Sequence, residues 1–123
     1  MGGAVELRDA NPQGKIVALE PATTATLSGG SAGTHDVEGI GIGYAPPLLD
    51  AELYDEARGI DEGEARRMTR LLATEEGIFS GTSTGLNVVA ALQLAAELGE
   101  GKTVVTVAVD TGLKYLASDL YAV

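Results

Sequence analysis

The chain has 123 residues and a mass of 12.5 kDa, with 45% hydrophobic residues and a mean hydropathy of +0.13, which suits one modest domain, residues 1–123, and excludes a disordered segment. A formal charge of -10 and a pI of about 4.3 argue against nucleic acid or an anionic membrane as partner, and no apolar run approaches the ~20 residues of a membrane span. Cysteine is absent, which removes disulfides, thiol nucleophiles and cysteine metal sites.

The start, Met1 to Glu6, has neither the basic flank nor the apolar stretch of a signal peptide, and the cytoplasm is the expected location. Val5 to Ala10 reads as the last turns of a helix, stopped by Asn11-Pro12. No cap is visible at its beginning. Lys15 to Glu20 then reads as a short buried strand closed by Pro21. From Thr23 to Pro47 the chain is rich in Gly, Ser and Thr; connections of this length are often functional. Leu53 to Ile60 suggests a second, weaker strand.

Asp61 is placed to cap a helix, with Glu64 completing a capping box, and Gly77 to end it. Ala65, Met68, Leu71 and Leu72 should share its apolar face. Ile78-Phe79-Ser80 reads as a strand, Gly81-Thr82-Ser83-Thr84-Gly85 as a turn, and Leu86 to Leu98 as a buried helix closed by Gly99. Thr103 to Val109 is a β-branched run of the kind buried on both faces of a parallel sheet. A last short helix is expected around Tyr115 and Leu116. Strands alternating with helices predict an α/β fold, three layers deep, with a mostly parallel sheet.

Chemistry is best placed at the 81–85 turn. A strand end that opens a helix offers free amides and a favourable dipole to an acceptor or an anion. The bland alternative, a hydroxyl of Ser83 or Thr84 capping the helix, is favoured on pattern alone. The glycines of Gly39-Ile40-Gly41-Ile42-Gly43 let backbone approach a flat ligand or simply permit a tight bend, and the bend is the simpler reading. His35, the one histidine, reads as a solvated loop residue. Lys15, Lys102 and Lys114 are nucleophiles in principle, but none lies in an apolar pocket that would lower its pKa. No metal-ligand spacing occurs.

One family shares these pieces in order: Lys15 to Pro21, Leu27-Ser28-Gly29-Gly30, Gly33-Thr34-His35, Glu38 to Gly43 with Pro46, Glu76-Gly77-Ile78, Gly81 to Gly85, Asp110-Thr111-Gly112 and Lys114-Tyr115-Leu116. In order and spacing the chain resembles the second half of cysteine synthase and the related cystathionine β-synthase, fold type II enzymes dependent on pyridoxal 5'-phosphate. The resemblance implies the incomplete large domain of such an enzyme. It places Ser83 at the ring nitrogen of the cofactor, Gly39 and Gly41 close to the cleft through their backbone, and Asp110, with Thr111 and Tyr115, in support at the pyridine end.

The family's Schiff-base lysine, its substrate-carboxylate loop and its phosphate-binding turn precede the matched region, and none of the three lysines falls at the lysine's position. Met1 to Asn11 would match the helix after the phosphate turn. Leu113, Lys114, Thr84 and Leu86 depart from the commonest family forms. The resemblance therefore implies no catalytic residue in this chain and no cofactor held by it alone. It implies a part of a β-replacing enzyme of cysteine biosynthesis, acting on an amino-acid substrate once a complementing N-terminal segment is supplied. The alternatives are a non-catalytic, self-associating interaction domain and, more weakly, a small-anion binder near Ser83.

Overall fold

A computed structural model of the chain describes residues 1–122. Helix α1, Gly2–Ala10, buries none of its residues and has no side-chain cap at its start. Arg8 in its last turn holds it in place, donating to the carbonyl of Gly14 at 3.2 Å and pairing with Asp55 at 3.0 Å. Helix formation thus extends back to Gly2, further than the apolar pattern indicated.

Strand β1, Val17–Pro21, runs parallel to β2, Glu56–Ile60, with Val17 opposite Glu56 and Pro21 opposite Ile60. Asp55 leads into the pair by accepting the Ile16 N–H at 2.7 Å and donating its own N–H to the Ile16 carbonyl at 2.8 Å. Arg58 joins the sheet to the helices, bridging Glu56 at 2.7 Å and Glu97 at 3.0 Å. Between the strands, residues 22–55 hold a 3-10 turn, Ala22–Thr24, and otherwise irregular backbone.

Helix α2, Glu62–Glu76, begins with the expected cap, Asp61 Oδ1 accepting the Glu64 N–H at 2.9 Å, but among the described residues the Glu64 carboxylate makes no return bond to the Asp61 N–H, so the capping box is half formed. It ends as expected too: Gly77 takes the left-handed conformation at φ 68°, and the Ile78 N–H returns to the Leu72 carbonyl at 3.0 Å. Ala65, Thr69 and Leu72 are buried, whereas Leu71, expected on the same face, is 46% exposed. Helix α3, Thr82–Leu98, packs on α2 and touches both strands. The core gathers Val37, Ile60, Ala65, Leu86, Val89 and Ala90, with Leu19, Ile40 and Met68 against it. Burial of a side chain such as Leu86 contributes about 1.5–3 kcal/mol.

Four expectations require correction. Residues 81–85 are not a turn before the helix, because α3 already begins at Thr82. The buried part of α3 is its first half, Thr82 to Leu86 with Val89 and Ala90; Leu92 and Leu98 are exposed. The β-branched run 103–109 is not a strand: Val105 is 83% and Val107 64% exposed. β-branching favours a pleated ladder only where a neighbour strand supplies donors and acceptors, and among the described residues none runs beside it. For the same reason Ile78–Ser80 forms only an isolated bridge, Ser80 to Thr111.

After Thr111 the chain closes in a 3-10 turn, Gly112–Tyr115, shorter than the expected helix and without Leu116. Its end folds back onto α2 through Arg66 and Asp119, 2.6 Å apart. Among the described residues, no helix is long and apolar enough to cross a membrane.

Candidate functional site

Gly81 precedes α3 with extended backbone, and neither Ser83 nor Thr84 caps the helix. The two hydroxyls have separate fates. Thr84 Oγ1 accepts the Val109 N–H at 3.0 Å, which fastens the 103–110 segment to α3. Ser83 is 5% exposed and lines a cavity of about 250 Å³ together with Gly39, Ile40, Asn87, Asp110 and Lys114. Its hydroxyl has no protein partner among the described residues, yet it is not sealed in; the sealed, partnerless hydroxyl is that of Ser80. A polar atom so placed is available to whatever enters the cavity.

Asp110 organises the far side. Its Oδ1 accepts the Gly81 N–H at 3.2 Å, and its Oδ2 accepts the Tyr115 hydroxyl at 2.6 Å. Both Asp110 Oδ1 and the Tyr115 ring lie where a Cβ on Gly81 would sit, so only glycine fits there. Burial, and secondarily the Asp110 carboxylate, hold the Tyr115 phenol well above its ordinary range. Lys114 spans the mouth, 3.4 Å from Asp110 and 3.3 Å from Glu38. That pairing raises the Lys114 pKa, chiefly through Glu38, which is the opposite of the lowering that makes a lysine a nucleophile. Lys15 is likewise engaged, 2.6 Å from Glu56.

Of the four residues singled out as a cofactor site, Ser83, Gly39 and Asp110 thus meet around one cavity. Gly39, at φ 85°, has open space where a Cβ would project. Gly41 lies instead on a second cavity of about 220 Å³, shared with Leu19, Glu20 and Tyr44. Gly39 and Ile40 separate the two spaces. Thr111 does not line the Ser83 cavity; its Oγ1 accepts the Leu113 N–H at 3.3 Å. No cluster of His, Asp and Glu suited to a metal occurs among the described residues.

Glu20 and His35 hold the loops beside the cavities. Glu20 is buried at the end of β1, and its carboxylate accepts the N–H groups of Leu27 and Ser28 and the Ser28 hydroxyl, the latter two at 2.7 Å. A carboxylate closing an apolar strand just before a Ser/Gly-rich loop was a legible sign of such a role. His35, expected in solvent, is half-buried and bonded through both ring nitrogens, to Val37 and Gly41.

The pattern of pyridoxal-phosphate dependent enzymes matches residues 1–110. A cysteine synthase of Staphylococcus aureus is 44% identical over 116 residues, which cover 94% of this chain and 37% of that protein. A probable cysteine synthase of Bacillus subtilis is 39% identical over 121 residues, 98% of this chain and 39% of its own length. The chain therefore spans well under half of the relatives it matches. Among solved structures, O-acetyl serine sulfhydrylase isoform 3 from Entamoeba histolytica superposes with a TM-score of 0.93 at 36% identity, over 99% of this chain and 37% of that one. The O-acetylserine dependent cystathionine beta-synthase from Helicobacter pylori gives 0.89 at 36% identity, over 98% and 39%. Matched in sequence over most of its length and in fold over nearly all of it, the chain belongs to the pyridoxal-phosphate dependent enzymes, among the cysteine synthase-like members.

Proposed function

We propose that the chain is the part of a cysteine synthase-like enzyme that receives the pyridine end of pyridoxal 5'-phosphate, for β-replacement on an activated serine by a sulfur nucleophile in the cytoplasm. The observation that carries this reading is the Ser83 hydroxyl, unpartnered and open to a cavity walled by Gly39 and Asp110. The cofactor, when bound, supplies an electron sink at the substrate. Ser83 would bond the ring nitrogen, and a hydroxyl does not hold a full positive charge there as a carboxylate would. Gly39 leaves room for a flat ring. Asp110 acts one step back, fixing Gly81 at the start of α3 and so the position of Ser83.

Magnitudes limit what the chain does by itself. One neutral hydrogen bond contributes about 0.5–1.5 kcal/mol net, whereas even millimolar affinity requires about 4 kcal/mol. Tight cofactor binding thus depends on a complementing segment. The decisive test mixes this chain with a separately made N-terminal segment of the Staphylococcus aureus relative, with pyridoxal phosphate present. Cofactor absorbance and sulfhydrylase activity are expected in the mixture, with Ser83→Ala weakening cofactor uptake roughly two- to tenfold. Absence of both signals from the unaltered mixture would sink the reading.

A second reading, a non-catalytic domain that associates with itself, is favoured by the exposed valines of 103–109. It predicts oligomers that the N-terminal segment does not displace.

A further inference from the structure

The loop that carries Gly39 is fastened by the chain's one histidine. His35 Nδ1 lies 3.0 Å from the Val37 nitrogen, and His35 Nε2 lies 2.7 Å from the Gly41 carbonyl oxygen. A backbone N–H can only donate, so Nδ1 is the acceptor and carries no proton. A carbonyl can only accept, so Nε2 carries it. An imidazolium would set a second N–H against that of Val37.

The two bonds bracket residues 38–40. Val37 is rooted in the core, and Gly39 and Ile40 form the partition between the two cavities. Gly41 is confined from the other side as well: at φ 62°, a Cβ on it would come 2.5 Å from His35 Nε2 and 2.8 Å from the Pro21 ring. The partition therefore has little freedom to move without the imidazole moving too.

We infer that His35, as a neutral imidazole protonated on Nε2, is a positioning residue that sets the Gly39–Ile40 wall of the Ser83 cavity. The identity of the cavity's occupant rests on the function proposed above; the staple itself does not, so its test needs no cofactor.

Long-range proton–nitrogen spectroscopy of the full chain at neutral pH should show one imidazole tautomer, with the proton on Nε2. A proton on Nδ1, or averaging between the two nitrogens, overturns the inference. Amide exchange gives a second measure. His35→Ala should speed exchange at Val37 roughly two- to tenfold, the worth of one hydrogen bond, and shift the Gly39, Ile40 and Ser83 amide resonances. Amides within α2 should keep their rates, which separates loss of the staple from general unfolding. In His35→Asn the side-chain oxygen can stand where Nδ1 stood, so Val37 protection should return while the Gly41 contact stays lost. Unchanged exchange at Val37 in His35→Ala, or no recovery in His35→Asn, would count against the staple. Should the alanine variant fail to fold, the tautomer and the asparagine variant still decide.

Discussion

Asp110 meets three donors with two oxygens: the Gly81 N–H, the Tyr115 hydroxyl and the Lys114 ammonium. The strain of this arrangement falls on Tyr115, whose ionisation would leave a phenolate buried and 2.6 Å from a carboxylate. Burial is the larger cause of its raised pKa and Asp110 the next. Its pKa is higher in the folded chain than the ordinary value of about 10, so the folded state holds this proton more tightly than the unfolded state does. The resulting stabilisation is complete below about pH 10 and declines as pH rises toward the folded value. Asp110→Asn removes the charge and keeps the burial. Tyr115 should then ionise at lower pH than in the parent, though still above an ordinary phenol. Phenolate absorbance followed through alkaline pH, with Tyr115→Phe subtracted to isolate this ring, checks it. Superimposable curves with and without the Asp110 charge would show that the carboxylate does not act on the phenol.

At the level of elements, the contact that organises the molecule is α2 against α3, and it depends on Gly85. A Cβ at that position would run into the Ala65 carbonyl and the Thr69 hydroxyl, and would stand 2.9 Å from the Thr69 nitrogen. Within an exposed helix, Gly→Ala gains about 1 kcal/mol of propensity. Here the added methyl meets backbone that cannot yield, and overpacking costs about 1–3 kcal/mol or more. Steric conflict should win: Gly85→Ala is expected to lower stability by about 1–2 kcal/mol. Gly63→Ala, in the first turn of α2, meets no backbone but comes 3.0 Å from Asp61 Oδ1, the oxygen that caps the helix, so its gain in propensity is offset at the cap and stability should change less than in Gly85→Ala. Urea midpoints of the two variants provide the comparison, and a stabilised Gly85→Ala would show that the helices can separate without loss.

The legibility of these elements in the sequence follows from how local their causes are. Asp61 and Gly77 act within a turn of their own backbone, so both ends of α2 were readable. Ser83 and Asp110 were both placed by family resemblance; 27 residues apart in the chain, they line a cavity that no local pattern describes. Leu71 and the second half of α3 misled because periodicity reports which residues could be buried, and burial needs a neighbour. The bonds of Glu20 and His35 close irregular loops, where side-chain geometry, with no repeating pattern behind it, decides the partner.

Considered as a whole molecule, the described chain leaves much of its apolar surface uncovered. Val105, Val107 and Val109 are exposed along one segment, with Leu92 and Leu98 exposed on α3. An unpaired β-branched run is a template for strand addition. Opposing that is the formal charge of -10 on every copy, whose repulsion reaches about 10 Å at 0.1 M salt and about 3 Å at 1 M. The balance should therefore shift with ionic strength: the chain is expected to associate with itself, and more so as salt screens the charge. Replacing Val105 and Val107 together by lysine should reduce association in high salt, where the accompanying change in charge from -10 to -8 is screened. The same change should alter stability by no more than about 0.5 kcal/mol, because these side chains are largely exposed in the folded chain and sit outside its core. Sedimentation velocity at several concentrations and two ionic strengths measures the first effect, and urea unfolding the second. If parent and variant both sediment as concentration-independent monomers in high salt, the valine run is not the adhesive surface. If the lysines instead unfold the chain, 103–109 contributes to the core of the isolated molecule after all.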